Sequence, residues 1–281
     1  MRQNFLLVAF GVLGLTLTSQ AALIAHYKFD EGAGATTAAN SVAGAAAGTV
    51  SAGVTTGQAG MSGNAYLFNN TSGVVDAGNA GFLSAITTAQ KVTISAWVKT
   101  SDATGTRNVA VFAGNDQATG NYMDLGYSGP GDGAAVPANN LAAGKAYARD
   151  RASGNGVNAY SNTAPTVNNG AWHHLVMTID LSAASNQLSL YVDGSLANSQ
   201  TLGGALLGFP TLNNFEIGRL GRSAPTDYFG GLIDDVQVYD TALSATEVSF
   251  LFANPGSPVP EPGALALAGL GLLSLVHRRR A

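Results

Sequence analysis

The 281-residue chain has 36 glycines and no cysteine, which excludes a disulfide framework and thiol chemistry. Of its 13 basic and 17 acidic residues, setting aside Arg2, Arg278–Arg280 and Glu261 leaves 9 and 16 between Ala22 and Ser257, a net charge of −7. Such acidity argues against nucleic acid, whose affinity rests on phosphate contacts to cations, and against anionic headgroups; it suits neutral glycans and calcium.

Met1–Asn4 carries one positive charge, Phe5–Leu17 is almost wholly apolar, and Ser19 and Ala21 put small residues where signal peptidase cuts. This predicts a secretory signal peptide over residues 1–21, so the chain leaves the cytoplasm. Candidate strands follow at Leu23–Phe29, Ala65–Phe68, Val92–Val98, Val109–Ala113 and Tyr122–Tyr127, then at Trp172–Asp180, Asn186–Asp193, Leu196–Leu202, Phe215–Arg219 and Leu232–Tyr239. In the third of these, Val92, Ile94, Ala96 and Val98 share a face. Between Asn186 and Asp193, Leu188, Leu190 and Val192 point inward, and Gln187, Ser189 and Tyr191 outward. Leu181–Ser185 reads as a hairpin loop and Asp193-Gly194 as a tight turn. Gly32–Gly63 and Gly114–Asn169 are poor in apolar residues and read as long loops with short strands hidden in them. Many short strands, glycine-rich turns and almost no helix predict an all-β, two-sheet antiparallel sandwich.

One helix is signalled near the end. Ser244-Ala245-Thr246-Glu247 is a capping box, and Leu243 can staple onto Val248. The helix should reach about Phe252 and stop before Pro255, with Asn254–Pro262 as a linker. Gly263–Val276 is then an apolar run of 14 residues, closed by His277 and the cations Arg278, Arg279 and Arg280. As a helix it would be about 21 Å long, marginal for a bilayer core of roughly 30 Å. It is the candidate transmembrane helix, with its cations left in the cytoplasm. The domain boundaries read as 1–21, 22–254 and 255–281.

Pro260-Glu261-Pro262, the apolar run and the arginine cluster occur together in that order. They resemble the PEP-CTERM sorting signal of Gram-negative bacteria. That resemblance implies an exosortase and a signal peptidase as partners during export, transient anchoring in the inner membrane, and a final place on the cell surface or in the extracellular polysaccharide matrix. A second resemblance covers Leu23 to Phe252. His26-Tyr27-Lys28-Phe29-Asp30-Glu31-Gly32, Gly63-Asn64-Ala65-Tyr66-Leu67-Phe68, Ile94-Ser95-Ala96-Trp97-Val98, Gly170-Ala171-Trp172-His173-His174, Leu190-Tyr191-Val192-Asp193-Gly194 and Gly230–Asp240 follow one another as in laminin-G-like, concanavalin A-like jelly-roll domains. The family often carries a structural calcium. The loop Asn40–Gly44 departs from the usual pattern after the first strand, which weakens any ion site built on it.

Simple alternation places Asp234 on one face with Leu232, Val236 and Val238, turned to the core. A buried carboxylate needs a partner, hydrogen bonds or a metal, and a bulge at Gly230-Gly231 would turn Asp235 inward instead. With the calcium that the family resemblance implies, Asp234 and Asp30 are the candidate ligands, against the plainer alternative that Asp234 accepts backbone amides at the sheet edge and Asp30 caps a turn. His173 and His174 are adjacent on a strand and point to opposite faces, so they cannot form a metal clip. Trp97 and Trp172 read as core or inter-sheet packing. Glu31, Glu216 and Glu247 are the glutamates of the mature domain, and they form no carboxylate array of the kind glycosidases need. No nucleophile or zinc motif appears. The expectation is a non-catalytic carbohydrate-binding or adhesion module whose partner is a glycan or exopolysaccharide, held by the concave sheet and the loops between Thr100 and Asn169. Tyr122, Tyr127, Tyr147, Arg149 and Tyr160 lie there. The alternatives are a structural matrix protein without a specific ligand, or a lyase or hydrolase on the same fold.

Overall fold

The computed structural model describes residues 21–105, 107–115, 120–130, 142–152, 155–160, 165–202 and 212–260; for 152 and 155–160 it describes the backbone alone. Residues 1–20 of the expected signal peptide, Glu261, Pro262 and Arg278–Arg280 lie outside the described residues, as does the side chain of Tyr160. Two antiparallel sheets face each other. The first runs in the order β14 (Ser195–Gln200), β13 (Leu188–Val192), β12 (Trp172–Asp180), β7 (Lys91–Lys99), β16 (Gly230–Tyr239), β5 (Asn64–Asn69), β4 (Val54–Ala59), with β1 (Leu23–Tyr27) paired to the C-terminal half of β16. The second runs β11 (Asn155–Tyr160), β10 (Ala146–Ala152), β9 (Tyr122–Ser128), β8 (Arg107–Gly114), β15 (Asn214–Ile217), β6 (Val75–Gly78), β3 (Gly48–Val50), β2 (Thr37–Ala38). This is the jelly-roll-like sandwich that the alternation predicts.

The core lies between the sheets. Val92, Ile94, Ala96 and Val98 of β7 point into it with Leu175, Met177 and Ile179 of β12 and Leu188, Leu190 and Val192 of β13. Ala110, Val111 and Ala113 of β8, Met123, Leu125 and Tyr127 of β9, and Phe215 and Ile217 of β15 meet them from the second sheet. Strands β2, β3 and β4 are the ones hidden in Gly32–Gly63, and β10 and β11 those in Gly114–Asn169. Strand β6 and helix α1 (Leu83–Ala89) carry no marked sequence signal. Among the described residues, no helix is long and apolar enough to cross a membrane.

Helix α2 (Ala245–Ala253) forms as its capping box predicts. Ser244 Oγ accepts the Glu247 N–H, and Glu247 reaches back to the Ser244 N–H at 2.7 Å. It packs on the outer face of the first sheet, where Leu243, Val248 and Leu251 cluster with Val176, Tyr191 and Tyr239. Trp97 points to this outer face and packs in a trio of rings with His174 and Phe252, with ring centroids 4.9 and 5.6 Å away and those two 6.2 Å from each other. Trp97 is thus buried beneath a helix and not between the sheets. Asn254–Pro262 was expected as a linker, yet residues 254–259 fold back. The Gly256 N–H bonds Asp235 Oδ2 at 2.7 Å, and the Val259 N–H bonds the Tyr239 hydroxyl at 3.0 Å.

Strand β16 departs from simple alternation. Ile233, not Leu232, enters the core, and Asp234 pairs in register with the outward Trp97. A bulge at Asp235, whose φ is 48°, then resets the phase so that Val236 and Val238 point inward. Asp234 is therefore buried on the outer side of the sheet. Asp235 is also on the outer side, bonded to His26 at 2.6 Å, so the bulge lies four residues later than Gly230-Gly231 and has the opposite consequence.

Candidate functional site

The outer face of the second sheet carries the polar groups. On β15 the inward positions are Phe215 and Ile217, so Asn214 and Glu216 face out. Strand β6 pairs alongside and sets Asp76 directly across from Glu216. Together with Asn79, Arg219 and Arg222 they line an open cavity of about 540 Å³. Arg219 grips Glu216 with two parallel bonds, Nε to Oε2 at 2.5 Å and Nη2 to Oε1 at 2.8 Å. The Asn214 amide adds a third bond to Oε1 at 2.9 Å. Asp76 Oδ1 accepts the Gly78 N–H at 2.7 Å. The result is a rigid rim of carboxylate, amide and guanidinium groups, the types that exchange hydrogen bonds with hydroxyl-rich ligands.

Beside the cavity, the same face holds a second cluster on β9 and β10. Arg149 binds Asp124 in bidentate fashion at 2.7 and 2.8 Å, and the Tyr147 hydroxyl donates to Asp124 Oδ2 at 2.7 Å. The guanidinium lies 4.9 Å from the Tyr122 ring centre. Burial opposes the charge on Arg149, yet the Asp124 carboxylate, Tyr147 and Tyr122 hold it above its ordinary value. Tyr122, Tyr127, Tyr147 and Arg149, which lie in the region expected to hold a glycan, are all buried, Tyr127 in the core between the sheets. They act as a braced foundation for the sheet rather than as an exposed stacking platform.

Asp30 and Asp234 approach one turn, Gly60–Asn64, from two sides. Asp234 Oδ2 accepts the N–H groups of Met61 and Ser62 at 2.8 and 3.0 Å, while its buried Oδ1 has no partner among the described residues. Burial pushes the Asp234 carboxyl up to about 7, the Ser62 amide opposing and Asp235 adding to the rise. Asp30 Oδ1 accepts the Asn64 N–H at 3.0 Å. A methyl group on Gly60 would collide with the Asn64 carbonyl and lie 2.7 Å from Asp234 Oδ2; one on Gly63 would collide with Asp30 Oδ1. Gly60 thus sits hard against Asp234 and the Asn64 carbonyl, and Gly63 hard against Asp30, with no room for a side chain at either. Hard oxygen donors of this kind fit calcium, which takes six to eight of them. Among the described residues no third acidic or histidine side chain joins the pair, so carbonyls and water would complete the shell.

The histidines stay structural. His173 bonds Asp193 at 2.9 Å and Asn169 at 3.1 Å, and His174 bonds Ser95 at 2.8 Å on the opposite face. Trp172 is half-buried. Sequence reasoning missed the cavity residues. The alternation in Asn214-Phe215-Glu216-Ile217 does mark Asn214 and Glu216 as neighbours on one face, but nothing local pairs them with Asp76, 138 and 140 positions earlier by residue number.

The model of the concanavalin A-like lectin/glucanases superfamily matches residues 69–249, more than half of the chain, and the model of the PEP-CTERM protein-sorting motif matches 258–281. No curated protein matches the sequence. Among solved structures, the fold resembles domain 4 of AbnA, a GH43 extracellular arabinanase from Geobacillus stearothermophilus, in complex with arabinotriose. The identity is 22%, the TM-score 0.55, and the match covers 83% of this chain and 99% of that one. It also resembles Trypanosoma rangeli sialidase in complex with sialic acid, at 16% identity and a TM-score of 0.54, covering 82% of this chain but 32% of the sialidase. At these identities the likeness is one of fold.

Proposed function

The chain belongs to the concanavalin A-like lectin/glucanases superfamily and ends in a PEP-CTERM sorting motif, and from that premise we propose that it is an exported, non-catalytic glycan-binding module of the cell surface or extracellular matrix. The motif marks it for export through an exosortase, with the apolar run Gly263–Val276 holding the precursor transiently in the inner membrane. The observation that carries the binding reading is the cavity of Asp76, Asn79, Asn214, Glu216, Arg219 and Arg222 on the outer face of the second sheet. The arabinotriose complex of the similar arabinanase domain supports an oligosaccharide as the class of ligand. Calcium belongs to the same reading as a structural ion, with Asp30, Asp234 and the Asn64 carbonyl as its ligands.

One observation favours an enzyme instead. Asp76 and Glu216 are direct cross-strand neighbours, and paired carboxylates about 5–5.5 Å apart are what retaining glycosidases use. Against it, both Glu216 oxygens are occupied by Arg219 and Asn214. A carboxylate so held is a poor nucleophile and a poor proton donor. The test is a glycan array with the purified chain, run with Asn79→Ala and Arg222→Ala variants alongside a reducing-sugar assay. Binding that both variants weaken at unchanged melting temperature supports the module. Silence across the array points to a matrix protein without a specific ligand, and released reducing sugar points to the enzyme.

A further inference from the structure

Both ends of the folded domain leave from one patch. At the N-terminal end, the Ala22 N–H bonds Asp240 Oδ1 at 3.0 Å, the Asp240 N–H returns to the Ala22 carbonyl at 3.2 Å, and Ala21 and Leu23 pack against the apolar cluster under helix α2. At the C-terminal end, Val259 packs against that same cluster. Its N–H is held by the Tyr239 hydroxyl, which itself donates to Gln237 Oε1 at 2.5 Å. Gly256 turns with a φ of 79° directly against Ser62 and donates to Asp235. The segment from Asn254 to Val259 is therefore a clasp and not a spacer. Between Val259 and the first residue of the apolar run, Gly263, the chain advances four positions, at most about 14 Å when fully extended. A domain of this size has a radius of gyration of roughly 18 Å. So short a tether lets the domain rock but not turn over.

We infer that, in the membrane-held precursor, the outer face of the first sheet, with helix α2, is the bilayer-apposed surface, and that the cavity-bearing face of the second sheet is held pointing away. The two faces are opposite by construction. Val176, Tyr191 and Tyr239 of the cluster point away from the core on one sheet, and Asn214 and Glu216 point away from it on the other. The partner is the lipid surface itself. Phe252 at the end of α2 and Met61 beside Ser62 flank the clasp as exposed apolar side chains, 39% and 38% accessible. The orientation rests on the anchoring role proposed for the apolar run. It keeps the cavity turned outward before the tail is removed.

The chain has no cysteine, so single substitutions give unique labels. The full chain, reconstituted in phosphatidylcholine nanodiscs, is labelled with a fluorophore at Thr246→Cys on α2 or at Ser223→Cys on the cavity rim. Headgroup-spin-labelled lipid should quench the α2 label several-fold more than the rim label. Inserting a 20-residue Gly/Ser linker between Val259 and Pro260, with an end-to-end reach of about 25 Å, should bring the two sites towards equality. Tyr239→Phe, which removes the acceptor of the Val259 N–H, should act in the same direction more weakly. Equal quenching of the two sites in the nanodisc-bound parent chain overturns the orientation, and a difference that survives the linker overturns the short tether as its cause. Recovery of the chain free of nanodiscs instead overturns the anchoring role, and it does so independently of any glycan measurement.

Discussion

Asp150 offers the sharpest test of the energetics. It sits on β10 with the parity of Ala146 and Ala148, which face the core, and it is 1% exposed. Neither carboxylate oxygen has a well-formed hydrogen bond among the described residues. Burial therefore pushes the carboxyl up to about 7, the Arg151 backbone amide offsetting only part of the cost. In the unfolded chain it titrates near 3.8. Between those values the folded state holds a proton that the unfolded state has released, so stability falls as pH rises from about 4 to 7 and is level above. Three pH units at 1.36 kcal/mol each make about 4 kcal/mol. The parent chain alone would mislead, because other groups also titrate in this window, Asp227 among them, raised by burial and acting with the same sign. Asp234 acts with the same sign. His174, pulled by burial down to about 4, acts with the opposite one, since its unfolded form gains a proton first. The difference between Asp150→Asn and the parent isolates the single carboxyl. Urea unfolding at half-unit steps from pH 4 to 8 should show the variant gaining about 4 kcal/mol on the parent across the window. An unsatisfied amide shifts the whole curve by about 1–3 kcal/mol, but it does not change the slope. Parallel curves for the two proteins would refute a core-facing Asp150 held protonated by burial.

Three further outcomes are expected. His174→Phe keeps the aromatic stack with Trp97 and Phe252 and should remove the rising contribution of His174 alone, so that the variant loses about 3 kcal/mol relative to the parent between pH 4 and 6.5; parallel pH profiles contradict a neutral buried imidazole. Arg149→Met strands the Asp124 charge and should cost about 3–5 kcal/mol, whereas adding Asp124→Leu should restore most of it; calorimetry that finds the double variant no better than the single one denies the coupling. Calcium at a hundredfold excess over its dissociation constant should add about 2.7 kcal/mol and lift melting by several degrees at roughly 2–4 °C per kcal/mol, an effect that Asp234→Asn removes. Melting indifferent to both calcium and chelator in the parent chain rules the ion out.

The class of fold and the elements whose cues are local are legible in the amino-acid order alone. Period-2 runs such as Val92–Val98 name their own inward face, and Ser244 to Glu247 caps a helix whatever surrounds it, because those preferences need only a few neighbouring atoms. The C-terminal sorting motif is equally local, written in charge and apolar length. What only the tertiary structure decided concerns groups that meet across strands. The bulge at Asp235 reversed the faces of Leu232 and Ile233, since one residue of positive φ shifts a period of two. The sequence marked Asp234 as a buried carboxylate but not which turn would bury it, and Met61 and Ser62 supply their amides from a distant loop. It left residues 254–259 as a linker because the partners that clasp them, Tyr239 and Asp235, gain their positions only when β16 is in the sheet. The cavity is the extreme case. Asp76 and Glu216 become neighbours through the pairing of β6 with β15, and strand pairing at such separation is fixed by the global burial of both sheets, which no local stretch of chain encodes.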